Sequence, residues 1–103
     1  MIYVSSASIK EKNLNTLLNI FKKNKINNIE LSGGVKFEKN ISKIISKNNK
    51  KMNFLIHNYF PPPKKNFILN LGSTNENIRL QSVNLCKRAI NLCKKFGIKK
   101  YAV

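Results

Sequence analysis

Apolar positions along this chain switch between the short runs of strands and the three-to-four spacing of helices. Met1-Ile2-Tyr3-Val4-Ser5 is apolar and β-prone, and predicts a first strand. Leu14, Leu17, Leu18 and Phe21, with Ile20 beside them, recur at helical spacing and predict a helix over roughly residues 11–25. Ile29-Glu30-Leu31 predicts a short second strand, closed by the turn signal Ser32-Gly33-Gly34. Phe37, Ile41, Ile44 and Ile45 mark a second helix that ends in the Asn-Lys run at 48–51, and Phe54-Leu55-Ile56-His57 predicts a third strand. A long connection over 58–72 follows and contains Pro61-Pro62-Pro63. Ser73 and Glu76 then have the spacing of a capping box. Ile78, Ser82, Val83, Cys86, Ala89, Ile90 and Cys93 follow a 3.6-residue period that predicts a helix over 75–96, with Gly97 as its C-terminal cap. Lys100-Tyr101-Ala102-Val103 begins a fourth strand.

Strand and helix alternate, so the expected fold class is α/β with a parallel sheet and right-handed crossovers. Four strands and three helices fit in the 103 residues, whereas an eight-stranded barrel needs roughly 250. Residues 1–103 are therefore read as one domain. It is either the first three and a half βα units of a partial (β/α)8 TIM barrel or a small open sheet covered on one face, and the truncated barrel is favoured. Parallel sheets are normally buried on both faces, so half a barrel is expected to expose apolar surface or to pair with a second copy as a homo-oligomer.

Charge complicates the picture. Twenty Lys and Arg face four Asp and Glu, giving a formal +16 and a pI near 10.2. Such a balance raises nucleic acid as a partner. Yet the basic residues are 18 Lys and 2 Arg, accompanied by 17 Asn and 13 Ile, the residues of A/T-rich codons, so nucleotide bias explains much of the charge without selection for binding. Lys22, Lys23 and Lys25, then Lys47, Lys50 and Lys51, then Lys94, Lys95, Lys99 and Lys100 cluster at or after predicted helix C-termini, where they offset the helix dipole. In an α/β barrel that end lies opposite the active site, and only Lys36, Lys64 and Lys65 are expected near the strand ends that matter. Nucleic acid is thus a possible but unfavoured partner. No run approaches the ~20 apolar residues of a membrane span. The opening apolar residues are too few for an export signal, which predicts a cytoplasmic protein. Cys86 and Cys93 stand two helical turns apart, too far to bridge within one helix, and are expected to be reduced and packed.

Because acids are scarce, each can be asked for its reason. Glu11, Glu38 and Glu76 fall in predicted first turns of helices, where negative charge is favourable. Glu30 sits in a strand instead, at the end where parallel barrels bind ligands, which suggests a metal, a substrate hydroxyl or simply a nearby Lys as its partner. His57, the one histidine, ends the third strand at the same face; it suits metal ligation or proton transfer, or a structural role. Gly33-Gly34 either lets backbone approach a ligand or makes a tight turn. The prolines form a recognition segment or a stiffened loop, and Tyr59 and Phe60 line a pocket or pack that loop.

The segments His57-Asn58-Tyr59-Phe60, Asn70-Leu71-Gly72-Ser73 and Cys93-Lys94-Lys95-Phe96-Gly97-Ile98 resemble the xylose isomerase-like TIM barrels. That superfamily includes sugar phosphate isomerases and epimerases and the endonuclease IV type of nuclease. Glu30-Leu31-Ser32-Gly33-Gly34 and the proline insertion are similar to the isomerase/epimerase branch, while His57 with Asn70-Leu71-Gly72 is similar to the nuclease branch, whose matching histidine ligates a divalent metal. The resemblance covers the amino-terminal part of that fold. It implies a truncated form or fragment of a metal-dependent sugar phosphate isomerase or epimerase, with an endonuclease IV-like nuclease or a non-catalytic nucleic-acid-binding module as alternatives. It also implies His57 as a metal ligand, Glu30, Asn58 and Tyr59 around a sugar or sugar phosphate, and Mn, Zn or Mg in the complete barrel. The later strands supply the family's other ligands, so this chain alone is expected to be inactive.

Overall fold

The computed structural model describes residues 1–103 and holds four strands, three α-helices and one short 3₁₀ turn. The strands are β1 (Val4–Ser5), β2 (Asn28–Leu31), β3 (Asn53–His57) and β4 (Tyr101–Ala102); the helices are α1 (Leu14–Lys23), α2 (Ile41–Asn48) and α3 (Glu76–Phe96). All neighbouring strands are parallel and the sheet order is β1-β2-β3-β4. Sequential order in one direction has no point where the winding reverses, so the crevice of doubly wound sheets is absent. The arrangement is α/β, and such an arc is shared by open singly wound sheets and by segments of barrels.

Strand periodicity sets the two faces of the sheet apart. Ile29, Leu31, Phe54 and Ile56 point one way and are buried, and they share one cluster with Leu14, Leu17, Leu18 and Phe21 of α1, Ile44 and Ile45 of α2, and Ala89 and Leu92 of α3. All three helices therefore lie on that side. The opposite side carries Ser5, Asn28, Glu30, Asn53, Leu55, His57 and Ala102, none of them buried. From sequence, half a barrel is expected to expose apolar surface or to pair with a second copy. On this face Leu55 is the one large aliphatic strand residue, and Asn53 Nδ2 donates to Asn28 Oδ1 at 2.9 Å across it. At the rim Lys100 Nζ lies 5.9 Å from the centre of the Tyr3 ring.

Several local expectations change. α1 begins at Leu14 because Asn13 Oδ1 accepts the Thr16 N–H at 3.0 Å, an N-cap three residues later than predicted. Glu11 is thus outside the first turn. α2 begins at Ile41, which leaves Phe37 and Glu38 in the preceding loop; Glu38 instead pairs with Lys36 at 4.0 Å. The capping box does not form: Asn75 caps α3 by accepting the Ile78 N–H at 3.2 Å, and Ser73 Oγ accepts the Asn75 N–H. Glu76 does lie in the first turn of α3. The buried stripe of α3 is Ser82, Leu85, Ala89 and Leu92, rotated from the predicted one, and Ile90 is 44% exposed. Gly97 caps the helix at φ 66°, with its N–H on the Cys93 carbonyl, a left-handed conformation that favours glycine. Cys86 and Cys93 are free and half-buried, as expected.

The first part of the long loop before α3 is packed down. Phe60 is fully buried, Pro61 and Pro62 are buried behind it, and Ser82 Oγ accepts the Asn70 N–H at 2.9 Å while donating to the Ile78 carbonyl at 2.7 Å. The prolines stiffen the loop from inside. No helix is long and apolar enough to cross a membrane.

Candidate functional site

Three loops meet at the carboxyl end of the sheet, and hydroxyls tie the first two together. Ser6, at the start of the 3₁₀ turn after β1, accepts the Ser32 N–H at 2.8 Å, and Ser5 and Ser32 share a 2.8 Å bond between their hydroxyls. Ser6 and Ser32 are both buried, so the ends of β1 and β2 are locked by bonds that water cannot replace. Lys36 N–H donates to the Lys12 carbonyl at 2.8 Å, which joins the next segments of the same two loops. Gly34 turns the chain at φ 98°, so the glycine pair makes the tight turn. Gly33 faces Tyr59, and a Cβ added to it would stand 3.5 Å from the Tyr59 Cβ.

Two of the predicted residues share the polar face. Glu30 pairs in register with Leu55, and His57 lies two residues further along β3 on the same side. Strand spacing and rise put their Cα atoms about 8 Å apart. The chain's one ion pair is Lys36–Glu38, so the Lys partner weighed for Glu30 is absent. His57 Nδ1 lies 2.7 Å from the Asn58 carbonyl. A carbonyl only accepts, so in the neutral ring Nδ1 carries the proton and Nε2 keeps its lone pair. A backbone carbonyl on the second ring nitrogen is the usual way a metal-binding imidazole is oriented. Glu30 and His57 are two donors, and no group of three His, Cys, Asp or Glu is placed to hold a metal ion. A protein metal site needs about three, so the donor set falls one short.

Tyr59 is turned away from that pair, and Asn58 meets it only through the carbonyl beside His57 Nδ1. Asn58 works between strands: its N–H donates to the Ala102 carbonyl at 3.2 Å and its Oδ1 accepts the Tyr101 hydroxyl at 3.0 Å. Burial, and then the thiols of Cys86 and Cys93 beside it, hold the Tyr101 phenol protonated well above its usual range. Burial also pushes the Cys93 thiol up. Tyr59 turns outward into a cleft of about 480 Å³ whose wall includes Lys12, Gly34, Lys36, Asn66 and Phe67. Its hydroxyl accepts the Phe67 N–H at 3.2 Å, and the two rings meet edge to face at 5.8 Å.

Lys36 was expected at this end, and it is there. Lys12 was missed, because a helix drawn from residue 11 hides it. Lys22, Lys23, Lys47, Lys94 and Lys95 occupy the last turns of their helices, as the charge pattern predicted. No protein-family model, curated protein or solved structure matches the chain.

Proposed function

We propose that residues 1–103 form the first three and a half units of a xylose isomerase-like TIM barrel of the sugar phosphate isomerase/epimerase kind, and work in the cytoplasm. One observation carries this reading. On a singly wound parallel sheet covered by helices on one side, the bare side presents, near its carboxyl end, a Glu without an ion pair beside a His with a free Nε2. That is the end of a parallel barrel at which ligands bind.

In the complete barrel His57 Nε2 and the Glu30 carboxylate would be two of the donors to a divalent Mn, Zn or Mg ion, and later strands would supply the rest. Such an ion polarises the oxygens of a bound sugar. Asn58 positions His57 by accepting on its carbonyl and anchoring to β4, and Tyr59 shapes the approach to the site from the neighbouring loop. The chain by itself lacks the third ligand and the base, so its role in this reading is to bind and orient rather than to complete the reaction.

The test is to read the coding frame past codon 103, express the whole frame and assay interconversion of aldose and ketose phosphates with and without Mn²⁺. A metal-dependent activity that is lost in His57→Ala is the expected result. A frame that supplies no further strands, or a whole protein inert on all sugar phosphates tried, overturns the proposal.

A further inference from the structure

We propose that the end of the molecule at which the strands begin and the helices finish is a surface for the phosphate backbone of double-stranded nucleic acid, held by lysines from all three helix ends. It lies opposite the end assigned to the sugar and does not depend on the barrel reading.

The lysine clusters that close α1, α2 and α3 hold ten of the chain's 20 basic residues. Nine of the ten are exposed, and Lys22 is half-buried. No acid stands among them: Glu11, Glu38 and Glu76 precede or open helices, and Glu30 is in the carboxyl half of β2. Nucleotide bias sets how many lysines a chain has, not an end that gathers ten of them without an acid. The helix dipole accounts for those in the last turns. Lys25, Lys50, Lys51, Lys99 and Lys100 lie beyond those turns, where its attraction has faded. Like charges so gathered repel one another, and a dense polyanion relieves that repulsion.

Two hydrogen bonds hold the three clusters in one frame. Asn53 N–H donates to the Asn27 carbonyl at 2.7 Å, joining the turn after α1 to the turn after α2. Asn49 Nδ2 donates to the Phe96 carbonyl at 3.0 Å, joining the end of α2 to the end of α3. Neighbouring helices pack about 8–10 Å apart, so the clusters span about 20 Å, a length over which a double helix carries roughly 12 phosphates.

The side chains at this end choose among polyanions. Lys95 Nζ lies 5.4 Å from the centre of the Phe96 ring and Lys100 Nζ 5.9 Å from that of Tyr3. Both rings are half-buried, so no bare aromatic face is left on which an unpaired base stacks. Both arginines, Arg79 and Arg88, lie further up α3. What remains is point charge suited to phosphate, without the fork that reads bases. A duplex, with its bases inside and its phosphates outside, asks for neither stacking nor readout. The competing partner is an anionic bilayer, since Met1 and Ile2 before β1 are exposed, yet two residues bury little apolar area in a headgroup layer.

The chain of residues 1–103 is titrated by fluorescence anisotropy against a labelled, mixed-sequence DNA duplex of about 20 base pairs across about 50–200 mM salt. Binding is expected, with log K falling against log salt at a slope of about −4 or steeper. One variant combines Lys23→Gln, Lys50→Gln, Lys51→Gln and Lys99→Gln. A second combines Lys10→Gln, Lys39→Gln, Lys64→Gln and Lys65→Gln, removing the same charge from the opposite end. All eight lysines are exposed, and an unchanged melting temperature confirms that both variants fold. The first is expected to lose at least about tenfold in affinity at ~100 mM salt and to flatten the slope by about 2 or more, and the second to lose less than about threefold. The proposal is overturned by absence of binding, by a slope shallower than about −2, or by equal losses in the two variants. Tighter binding of the same sequence as a single strand overturns it too, as does displacement of the duplex by phosphatidylcholine vesicles with about a quarter phosphatidylserine at matched negative charge.

Discussion

The two faces of the sheet follow opposite rules on the same strands. Ile29, Leu31 and Ile56 are fully buried under the helices and Phe54 nearly so, while their neighbours Asn28, Glu30, Asn53 and His57 leave the other side polar. One residue of register separates a core from a chemical surface. Folding free energy is thus concentrated on one side, and the other is free to carry groups that a core would not tolerate. A closed barrel usually fills its centre with branched apolar side chains. On this face Asn28 and Asn53, the first residues of β2 and β3, bond to each other instead, so its amino end is polar as well.

The sharpest way to break this contrast is to truncate adjacent residues on opposite faces. Ile56→Ala removes a fully buried side chain and is expected to cost about 3–4 kcal/mol in urea unfolding. Leu55→Ala, half-buried on the bare side, is expected to cost below about 1 kcal/mol. Equal losses would mean that the bare face is covered in solution by a second copy or by further strands.

Ser6 tests whether the carboxyl end depends on its hydroxyl lock. Ser6→Ala leaves the buried Ser32 N–H without its 2.8 Å acceptor, and the expected loss is about 2 kcal/mol. A loss below about 0.5 kcal/mol would show that the loops hold without the hydroxyls.

Much of the covered face was legible, because packing enforces periodicity. Leu14, Leu17, Leu18 and Phe21 and the alternating residues of β2 and β3 each had one arrangement that buries them together. Element ends were less legible, because they are set by single hydrogen bonds. Asn13 and Asn75 take the caps by accepting one N–H each, and in a chain with 17 Asn no one Asn stands out. The α3 stripe was misjudged since Leu85, Cys86, Leu92 and Cys93 are adjacent apolar pairs that fit two faces equally. At the site, Glu30 and His57 were legible as chemical anomalies. Lys12 and its cleft were not, because loops far apart in sequence build it through one backbone bond.

Alkaline pH probes the edge of the covered face at Tyr101. An unfolded phenol ionises near ~10, whereas in the folded chain burial and the neighbouring thiols push Tyr101 higher. Below the unfolded value both states keep the proton and the full stability is present. Above it the unfolded chain releases the proton first, so stability falls as pH rises. The urea midpoint is expected to drop above about pH 10 and to drop less steeply in Tyr101→Phe. An identical slope in that variant would assign the alkaline loss to other groups.

The smallest expected effect bears most on function. Glu30 has no ion pair and no helix end to stabilise, so Glu30→Gln keeps its shape and removes charge alone. The expected change in unfolding free energy is within about 0.5 kcal/mol. Its immediate neighbour Ile29, fully buried on the other face, belongs with Ile56 among the costly truncations. A change that small in Glu30→Gln, in a chain with three other acidic side chains, would support the proposed reading of Glu30 as a group that faces a ligand rather than the fold. A loss above about 1 kcal/mol in Glu30→Gln would show instead that the charge is used structurally, and would remove the ground on which Glu30 and His57 are read as a pair.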